Sequence, residues 1–293
     1  MDHRASYGTS LFGVHGHPTA EQHARMVEAK AATYDGLLDV VTTGLPGNAR
    51  PGVLVDGDLG IGLQRRATGD GVALAIPLEA SGHELITLAN PGHWQQEVTD
   101  LAPSYVKVLV RWNPDDSEED RRAQTDVLAP VSAWLREQGV AFLFELLVPA
   151  SAAQLASVGG DADRYDAELR PDLVVRTIGE LQAEGVEPAV WKIEGLETSA
   201  AAEAVVAAAR TGGRDEVDCV VLGRDAPQER LDHWLRVAAP VDGFVGFAIG
   251  RSIWEDAVRR LEAATLDRAG VVAEVAETYV HFAQVYVEAA SAS

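Results

Sequence analysis

Short apolar runs alternate with longer segments of helical period along most of this chain. Eight runs rich in Val, Ile, Leu and Phe occur, at residues 11–14, 52–55, 72–76, 106–110, 141–147, 189–193, 219–222 and 244–249. Strands separated by helix-length segments are typical of βα units around a parallel sheet. The number eight favours a closed (β/α)₈ barrel, and no G-x-G-x-x-G turn follows the first run to indicate a dinucleotide-binding sheet.

We therefore predict one α/β domain over residues 1–293, a TIM barrel. The tail at residues 270–290 has the pattern of an extra amphipathic helix, which we expect to pack across the barrel exterior or on a neighbouring subunit. A barrel of about 250 residues or more is common as one domain, so the length of 293 residues does not require a second one.

The charge excludes several classes of partner. The formal net charge is -21, whereas nucleic acids and anionic lipids attract basic surfaces, so we expect neither nucleic acid nor membrane as a partner. The start of the chain lacks an apolar signal segment, and Cys219 is the single cysteine. We predict a cytoplasmic protein that forms homo-oligomers.

Lysine is rare in this chain. Arg supplies 21 of the 24 basic residues, and the three lysines are Lys30, Lys107 and Lys192. Lys30 lies in a polar helical stretch, where we expect it to be solvated. Lys107 and Lys192 instead lie within apolar strand-like runs, and the alternation of side chains along a strand directs both into the barrel if the neighbouring apolar residues face the helices.

Polar residues recur where the predicted strands end, which is where barrel enzymes carry their active sites. These residues are His15, His17, Asp56, Asp58, Lys107, Arg111, Glu145, Lys192, Glu194, Gly223, Arg224, Asp225, Gly250 and Arg251. A buried lysine loses hydration that stabilises its ammonium form, and a second cation nearby disfavours that form further. A lysine that is partly neutral is a nucleophile towards ketones.

Each candidate also has a structural interpretation. Lys192 can extend to the rim or pair with Glu194, and Glu145 can simply balance a lysine charge. Arg251 follows Gly250 at the start of a predicted helix after the last strand, which suits a phosphate group, although a solvated arginine is the alternative there. Arg224 is a weaker candidate for the same group.

A metal site is a further alternative. His15, His17, Asp56 and Asp58 carry the ligand types that divalent metals bind. No further histidine with matching chemistry falls at a strand end, apart from His83. We therefore assign His15 and Asp56 to substrate contacts and predict neither a metal nor another cofactor.

Several runs resemble the strands of a known enzyme family. V-K-V-L-V at 106–110, F-L-F-E-L-L at 142–147, V-W-K-I-E at 190–194 and G-F-A-I-G-R-S-I-W at 246–254 are similar, in order, to strands of class I tagatose 1,6-bisphosphate aldolases. The segments 180–194 and 221–227 more closely resemble the aldolase-like domain fused to inositol-catabolism 5-keto-2-deoxygluconate kinases. The likeness covers most of the chain from residue 52 onward.

The resemblance implies roles for individual residues. It makes Lys192 the Schiff-base lysine, Glu145 the acid/base carboxylate, Lys107 the lysine of the neighbouring strand and Arg251 the phosphate-binding arginine. Asp56 lies where these families carry an aspartate. The run near His15 lacks an aspartate that the family has, and G-R-D at 223–225 replaces a Ser-Gly type turn.

These residues lead to a functional prediction. We expect a metal-independent class I aldolase that cleaves a phosphorylated ketose or keto-deoxy sugar acid reversibly. Arg111, Glu194, Gly223, Arg224 and Gly250 are the remaining expected substrate contacts. The alternatives are a barrel lyase or isomerase that uses Glu145 as a base without covalent chemistry, and a sugar-phosphate-binding protein without turnover.

Overall fold

The computed structural model describes residues 5–292, with seven strands and twelve α-helices in that part of the chain. The strands are β1 (Gly52–Leu54), β2 (Ala73–Pro77), β3 (Tyr105–Arg111), β4 (Ala141–Leu147), β5 (Val190–Glu194), β6 (Asp218–Leu222) and β7 (Phe244–Ala248). The helices are α1 (Ala5–Phe12), α2 (Ala20–Thr43), α3 (Gly57–Ala67), α4 (Trp94–Leu101), α5 (Glu118–Gln138), α6 (Ala152–Ser157), α7 (Ala162–Glu168), α8 (Arg170–Ala183), α9 (Ser199–Ala209), α10 (Gln228–Ala238), α11 (Arg251–Glu262) and α12 (Arg268–Ser291). A 3₁₀ turn, Pro46–Asn48, precedes β1.

The seven strands form one parallel sheet in the order of the sequence, from β1 to β7. Each strand pairs in parallel with the next, as in β3 and β4, where Lys107 lies opposite Leu143 and Leu109 opposite Glu145. Among residues 5–292, β1 and β7 do not pair with each other, so the sheet is a curled half-barrel. The expected closed ring of eight strands is therefore corrected to an open sheet of seven within a barrel-like α/β fold.

The missing strand is the one predicted at residues 11–14. Leu11 and Phe12 belong to α1, and a loop follows from Gly13, whose φ of 61° is left-handed. The amide of Val14 donates to the carbonyl of Gly8 at 2.9 Å, a bond that folds the chain back onto the end of the helix. Glycine in this conformation commonly ends a helix, so residue 13 marks a helix terminus rather than a strand.

Two long helices, α2 and α12, lie side by side between the two ends of the sheet. Gly36 of α2 lies against Val275 of α12, and Gly47, in the turn that follows α2, lies against Val287. The second contact lies nearer the C-terminus than the first in both segments, so the two helices run parallel. Gly36 is required for this approach, because an added Cβ there would lie 2.7 Å from a methyl carbon of Val275. The tail helix therefore forms part of the wall of the half-barrel.

The strands turn alternate side chains to the helices and to the interior of the half-barrel. Phe144 of β4 and Trp191 of β5 lie opposite each other in the register and stack with ring centroids 4.9 Å apart, both fully buried. Their sequence neighbours Glu145 and Lys192 consequently face the interior. In the described part of the chain, no helix has both the length and the apolar character needed to cross a bilayer.

Candidate active site

The interior of the half-barrel holds a cavity of about 1270 Å³. Alternate residues of the strands line it, and on the side without a strand its wall comes from α2 and α12, through residues such as Tyr34 and Tyr279. The side chains of a complete barrel fill its interior. The half-barrel instead leaves room for a small molecule at the level of the strand residues Lys107, Glu145 and Lys192, all of which line the cavity.

These three side chains form a continuous chain of ion pairs. Glu145 accepts Lys192 Nζ on Oε1 at 2.9 Å and Lys107 Nζ on Oε2 at 3.2 Å. Glu145 and Lys192 are direct partners in the register of β4 and β5, so the sheet itself holds the carboxylate against the amine. All three side chains are at least nine-tenths buried. The arrangement places an amine and a proton acceptor in direct contact.

Glu79 completes this cluster and was not among the residues expected from sequence. Its Oε1 accepts Lys107 Nζ at 2.6 Å, and it lines the cavity. We call Glu79, Lys107, Glu145 and Lys192 the amine–carboxylate cluster. The sequence does carry a signal for Glu79, since it continues the odd-numbered face of β2 that places Ala75 in the cavity.

The backbone around Glu79 holds it in place. The amide of Leu78 donates to the carbonyl of Lys107 at 2.9 Å, and the amide of Ala80 donates to that of Thr87 at 2.7 Å. Glu79 itself forms an antiparallel bridge with Leu88. Bonds on both sides thus fix the carboxylate beside the ammonium of Lys107.

Asp56 lies at the end of β1, as expected, but its carboxylate serves the fold. Oδ1 caps α3 by accepting the amide of Leu59 at 2.9 Å, and Oδ2 binds the ammonium of Lys30. Asp56 is 1% exposed and lies outside the described lining of the cavity. Lys30, expected in solvent, is 2% exposed and also lies over the ring of Tyr7. Helix α2 packs where a strand was expected, so Lys30 on this helix is buried against Asp56 and not exposed to solvent.

Glu194 likewise holds other groups in place. Its Oε2 accepts the amide of Val148 at 2.9 Å, and its Oε1 pairs with Nε of Arg224 at 3.1 Å. Burial raises the pKa of Glu194, while the guanidinium groups of Arg170 and Arg224 and the Val148 amide act in the opposite direction. Glu194 is not among the described cavity-lining residues, so the structure makes it a support for Arg224.

Arg224 stands at the cavity mouth in a strained turn. Arg224 and Asp225 have φ of 48° and 59°, which non-glycine residues seldom adopt. Both oxygens of Asp166 accept Nη1 of Arg224 at 2.9 Å, and this ion pairing with Asp166 and Glu194 sustains the conformation. Residues held in such rarely adopted backbone conformations are often found at functional sites.

Arg251 lies on the same rim, next to Gly250 at the start of α11. Its Nη1 is 2.5 Å from Oδ2 of Asp225. Gly223, Arg224, Gly250 and Arg251 all line the cavity, so the structure brings together the loops expected to bind phosphate.

Two other expected contacts lie further out. Arg111 lines the cavity but is exposed, and its Nη1 donates to the carbonyl of His83 at 3.4 Å. His15 is exposed in the loop after α1 and outside the lining, because no strand carries it to the mouth. Among residues 5–292, no group of three or more His, Cys, Asp or Glu side chains could hold a metal ion.

A family model described as an uncharacterized protein conserved in bacteria (DUF2090) matches residues 2–290. The chain belongs to this family. A comparison of the DUF2090 chain with curated protein sequences finds no match.

Solved structures share the fold of this DUF2090 chain at low sequence identity. Cgl0159 from Corynebacterium glutamicum is 16% identical, with a TM-score of 0.53 over 86% of this chain and 76% of that one. A fructose-bisphosphate aldolase from Slackia heliotrinireducens is 14% identical, with a TM-score of 0.50 over 88% and 91% of the two chains. The YdjI aldolase from Escherichia coli K12 is 12% identical, with a TM-score of 0.53 over 87% of each. The fold is therefore aldolase-like.

Proposed function

We propose that this protein is a class I aldolase that cleaves a phosphorylated ketose or keto-deoxy sugar acid through a Schiff base on Lys192. The observation that carries the proposal is the buried amine of Lys192, which faces the cavity with its Nζ 2.9 Å from Oε1 of Glu145. The runs that resemble tagatose 1,6-bisphosphate aldolases support this assignment. The two aldolases that share the fold support it as well.

The first stage forms the imine. A proton moves from Lys192 to Glu145, and the neutral amine adds to the substrate ketone. The resulting carbinolamine loses water, with Glu145 returning a proton to the departing hydroxyl group. Lys107 remains an ammonium beside Glu145 and donates a hydrogen bond to a substrate hydroxyl.

The second stage breaks the carbon–carbon bond. Glu145 removes the proton of the hydroxyl group two carbons from the imine carbon, which becomes the carbonyl of the departing aldehyde. The electron pair of the cleaved bond flows into the iminium and produces an enamine. Protonation of the enamine and hydrolysis release the second product and free Lys192. The iminium is the electron sink in this scheme, so it requires no metal ion.

The phosphate group binds at the cavity mouth. Backbone amides at the start of α11 and the guanidinium of Arg251 are suited to a dianion, as in other barrels. Arg224 and Gly223 lie on the facing loop. Since Arg251 already pairs with Asp225, phosphate binding displaces that carboxylate from the guanidinium.

Borohydride trapping tests the proposal. The protein is incubated with dihydroxyacetone phosphate or a panel of ketose phosphates, reduced with sodium borohydride and mapped by mass spectrometry. We expect an adduct on Lys192 that persists in EDTA, with Lys30 unmodified as an internal control. Lys192→Met, with folding checked by circular dichroism, should lose the adduct. If the unmodified protein forms none with any of the ketose phosphates, the protein is not a Schiff-base aldolase for these substrates.

A further inference from the structure

Two lysines in the cavity contact the same carboxylate. Lys192 and Lys107 contact opposite oxygens of Glu145, at 2.9 and 3.2 Å. Either amine can become neutral by transferring a proton to this carboxylate, and both face the same space. Only one of them can be the nucleophile of a given reaction, so something in the site must distinguish them.

Glu79 is the group that breaks this symmetry. It accepts Lys107 Nζ at 2.6 Å, closer than Glu145 does. Lys192, in contrast, forms its ion pair with Glu145. Lys107 thus lies between two carboxylates, and its positive charge is stabilised more strongly than that of Lys192.

The other charged groups that face the cavity contribute little asymmetry. At the mouth, Arg251 is paired with Asp225 and Arg224 with Glu194. Arg111, on the same strand as Lys107, is exposed, so water screens its charge. Glu194, two residues from Lys192 on β5, is buried but binds the amide of Val148 and Arg224. The carboxylates that form ion pairs with the two amines are Glu79 and Glu145.

We propose that Glu79 is a positioning residue that selects Lys192 as the nucleophile by holding Lys107 in its ammonium form. The inference rests on the proposed function, in which Lys192 forms the imine. When a proton passes from Lys192 to Glu145, the result is a neutral amine beside a neutral acid, while Glu79 and Lys107 remain an intact ion pair. Transfer from Lys107 to Glu145 leaves the carboxylate of Glu79 buried without its cation, which is unfavourable. Transfer from Lys107 to Glu79 gives up the shorter ion pair, at 2.6 Å, and keeps the longer one between Lys192 and Glu145, at 2.9 Å.

Reductive methylation measures directly which of the two lysines is the more reactive amine. The protein is treated with limiting formaldehyde and dimethylamine–borane, and methylation of the three lysines is quantified by peptide mass spectrometry. In the unmodified protein we expect Lys192 to react about tenfold or more faster than Lys107. In Glu79→Gln, which preserves the shape of the side chain, Lys107 should react about tenfold or more faster than in the unmodified protein. The ratio of the Lys192 rate to the Lys107 rate should then approach one.

Controls separate selection from general effects of charge or folding. Glu84→Gln removes the same charge from an exposed position on the cavity rim and should leave the ratio unchanged. Lys30, bound to Asp56, should react at the same rate in every variant and reports on folding. Glu79→Asp keeps the charge at greater distance and should give an intermediate ratio, even if Glu79→Gln fails to fold.

The two proposals fail in different ways. A ratio that stays the same in Glu79→Gln, or that changes equally in Glu84→Gln, overturns the role of Glu79. Formaldehyde needs no substrate site, so this result is independent of sugar binding. A failure of dihydroxyacetone phosphate and every ketose phosphate to label Lys192 under borohydride contradicts the aldolase function instead.

Discussion

Replacing Lys107 with Met should slow the reaction of Lys192 with formaldehyde without preventing it. The two amines bind opposite oxygens of one carboxylate, at 3.2 and 2.9 Å. For two ammonium groups about 6 Å apart and an effective dielectric constant of about 20, Coulomb's law gives roughly 3 kcal/mol of repulsion. Removing Lys107 relieves this repulsion and also removes the cation that offsets the charge of Glu79, and both effects stabilise the ammonium of Lys192.

The expected result is that formaldehyde methylates Lys192 about ten- to a hundredfold more slowly in Lys107→Met at pH 7.5. The rate is followed by peptide mass spectrometry under limiting reagent. Lys107→Arg preserves the positive charge and should stay within a few fold of the unmodified protein. The double variant Lys107→Met/Glu79→Gln loses one positive and one negative charge, so the net charge around Lys192 is the same as in the unmodified protein. The methylation rate of Lys192 should therefore return towards that of the unmodified protein. An unchanged or faster rate in Lys107→Met would refute the electrostatic reasoning.

Three further predictions concern the mouth, the core and the helical wall. Arg251→Ala should weaken binding of a ketose phosphate about ten- to a hundredfold by calorimetry, because a charge-assisted contact is lost, whereas Arg259→Ala, exposed on the same helix, should not. Burial raises the pKa of the Cys219 thiol to about 12, so Ellman's reagent should label it about a thousandfold more slowly than a free thiol at pH 8. The labelling rate should rise when urea unfolds the protein or when the pH approaches that value. Rapid labelling of the native protein at pH 8 contradicts this prediction. Gly36→Ala should lower the free energy of unfolding by about 1–3 kcal/mol, because its Cβ overlaps Val275. In urea titrations, Gly179→Ala, in a helix position with open space, should instead raise that free energy by up to about 1 kcal/mol.

The sheet was predictable because all seven of its strands coincide with apolar runs in the sequence. The run at residues 11–14 was misassigned because three apolar residues and a glycine fit a helix end as well as a strand. Gly13 was the sequence feature that favoured the helix end. The course of α2 and α12 between the ends of the sheet depends on packing between residues more than 200 positions apart, which no local pattern reveals.

The same distinction separates the parts of the site. Lys107, Glu145 and Lys192 follow from the alternation of side chains within a strand, which is a local property. Asp56 and Glu194 are equally polar residues at strand ends, but distant partners occupy their oxygens. Lys30 is 26 residues from Asp56 in sequence, and no pattern predicts that they meet. Sequence therefore identifies candidates at the strand ends, while tertiary contacts decide which of them face the cavity.

The helical wall has a consequence for how this cavity can diversify. A strand that lines a barrel shares its backbone hydrogen bonds with two neighbours, so reshaping it disturbs the whole ring. Helix α12 satisfies its backbone internally and presents Val275, Tyr279 and Ala283 to the cavity. Exchanges at these positions alter the width of the chamber without realigning any strand. Substitutions along one face of a single helix can thus admit a bulkier ligand, with the amine–carboxylate cluster left untouched.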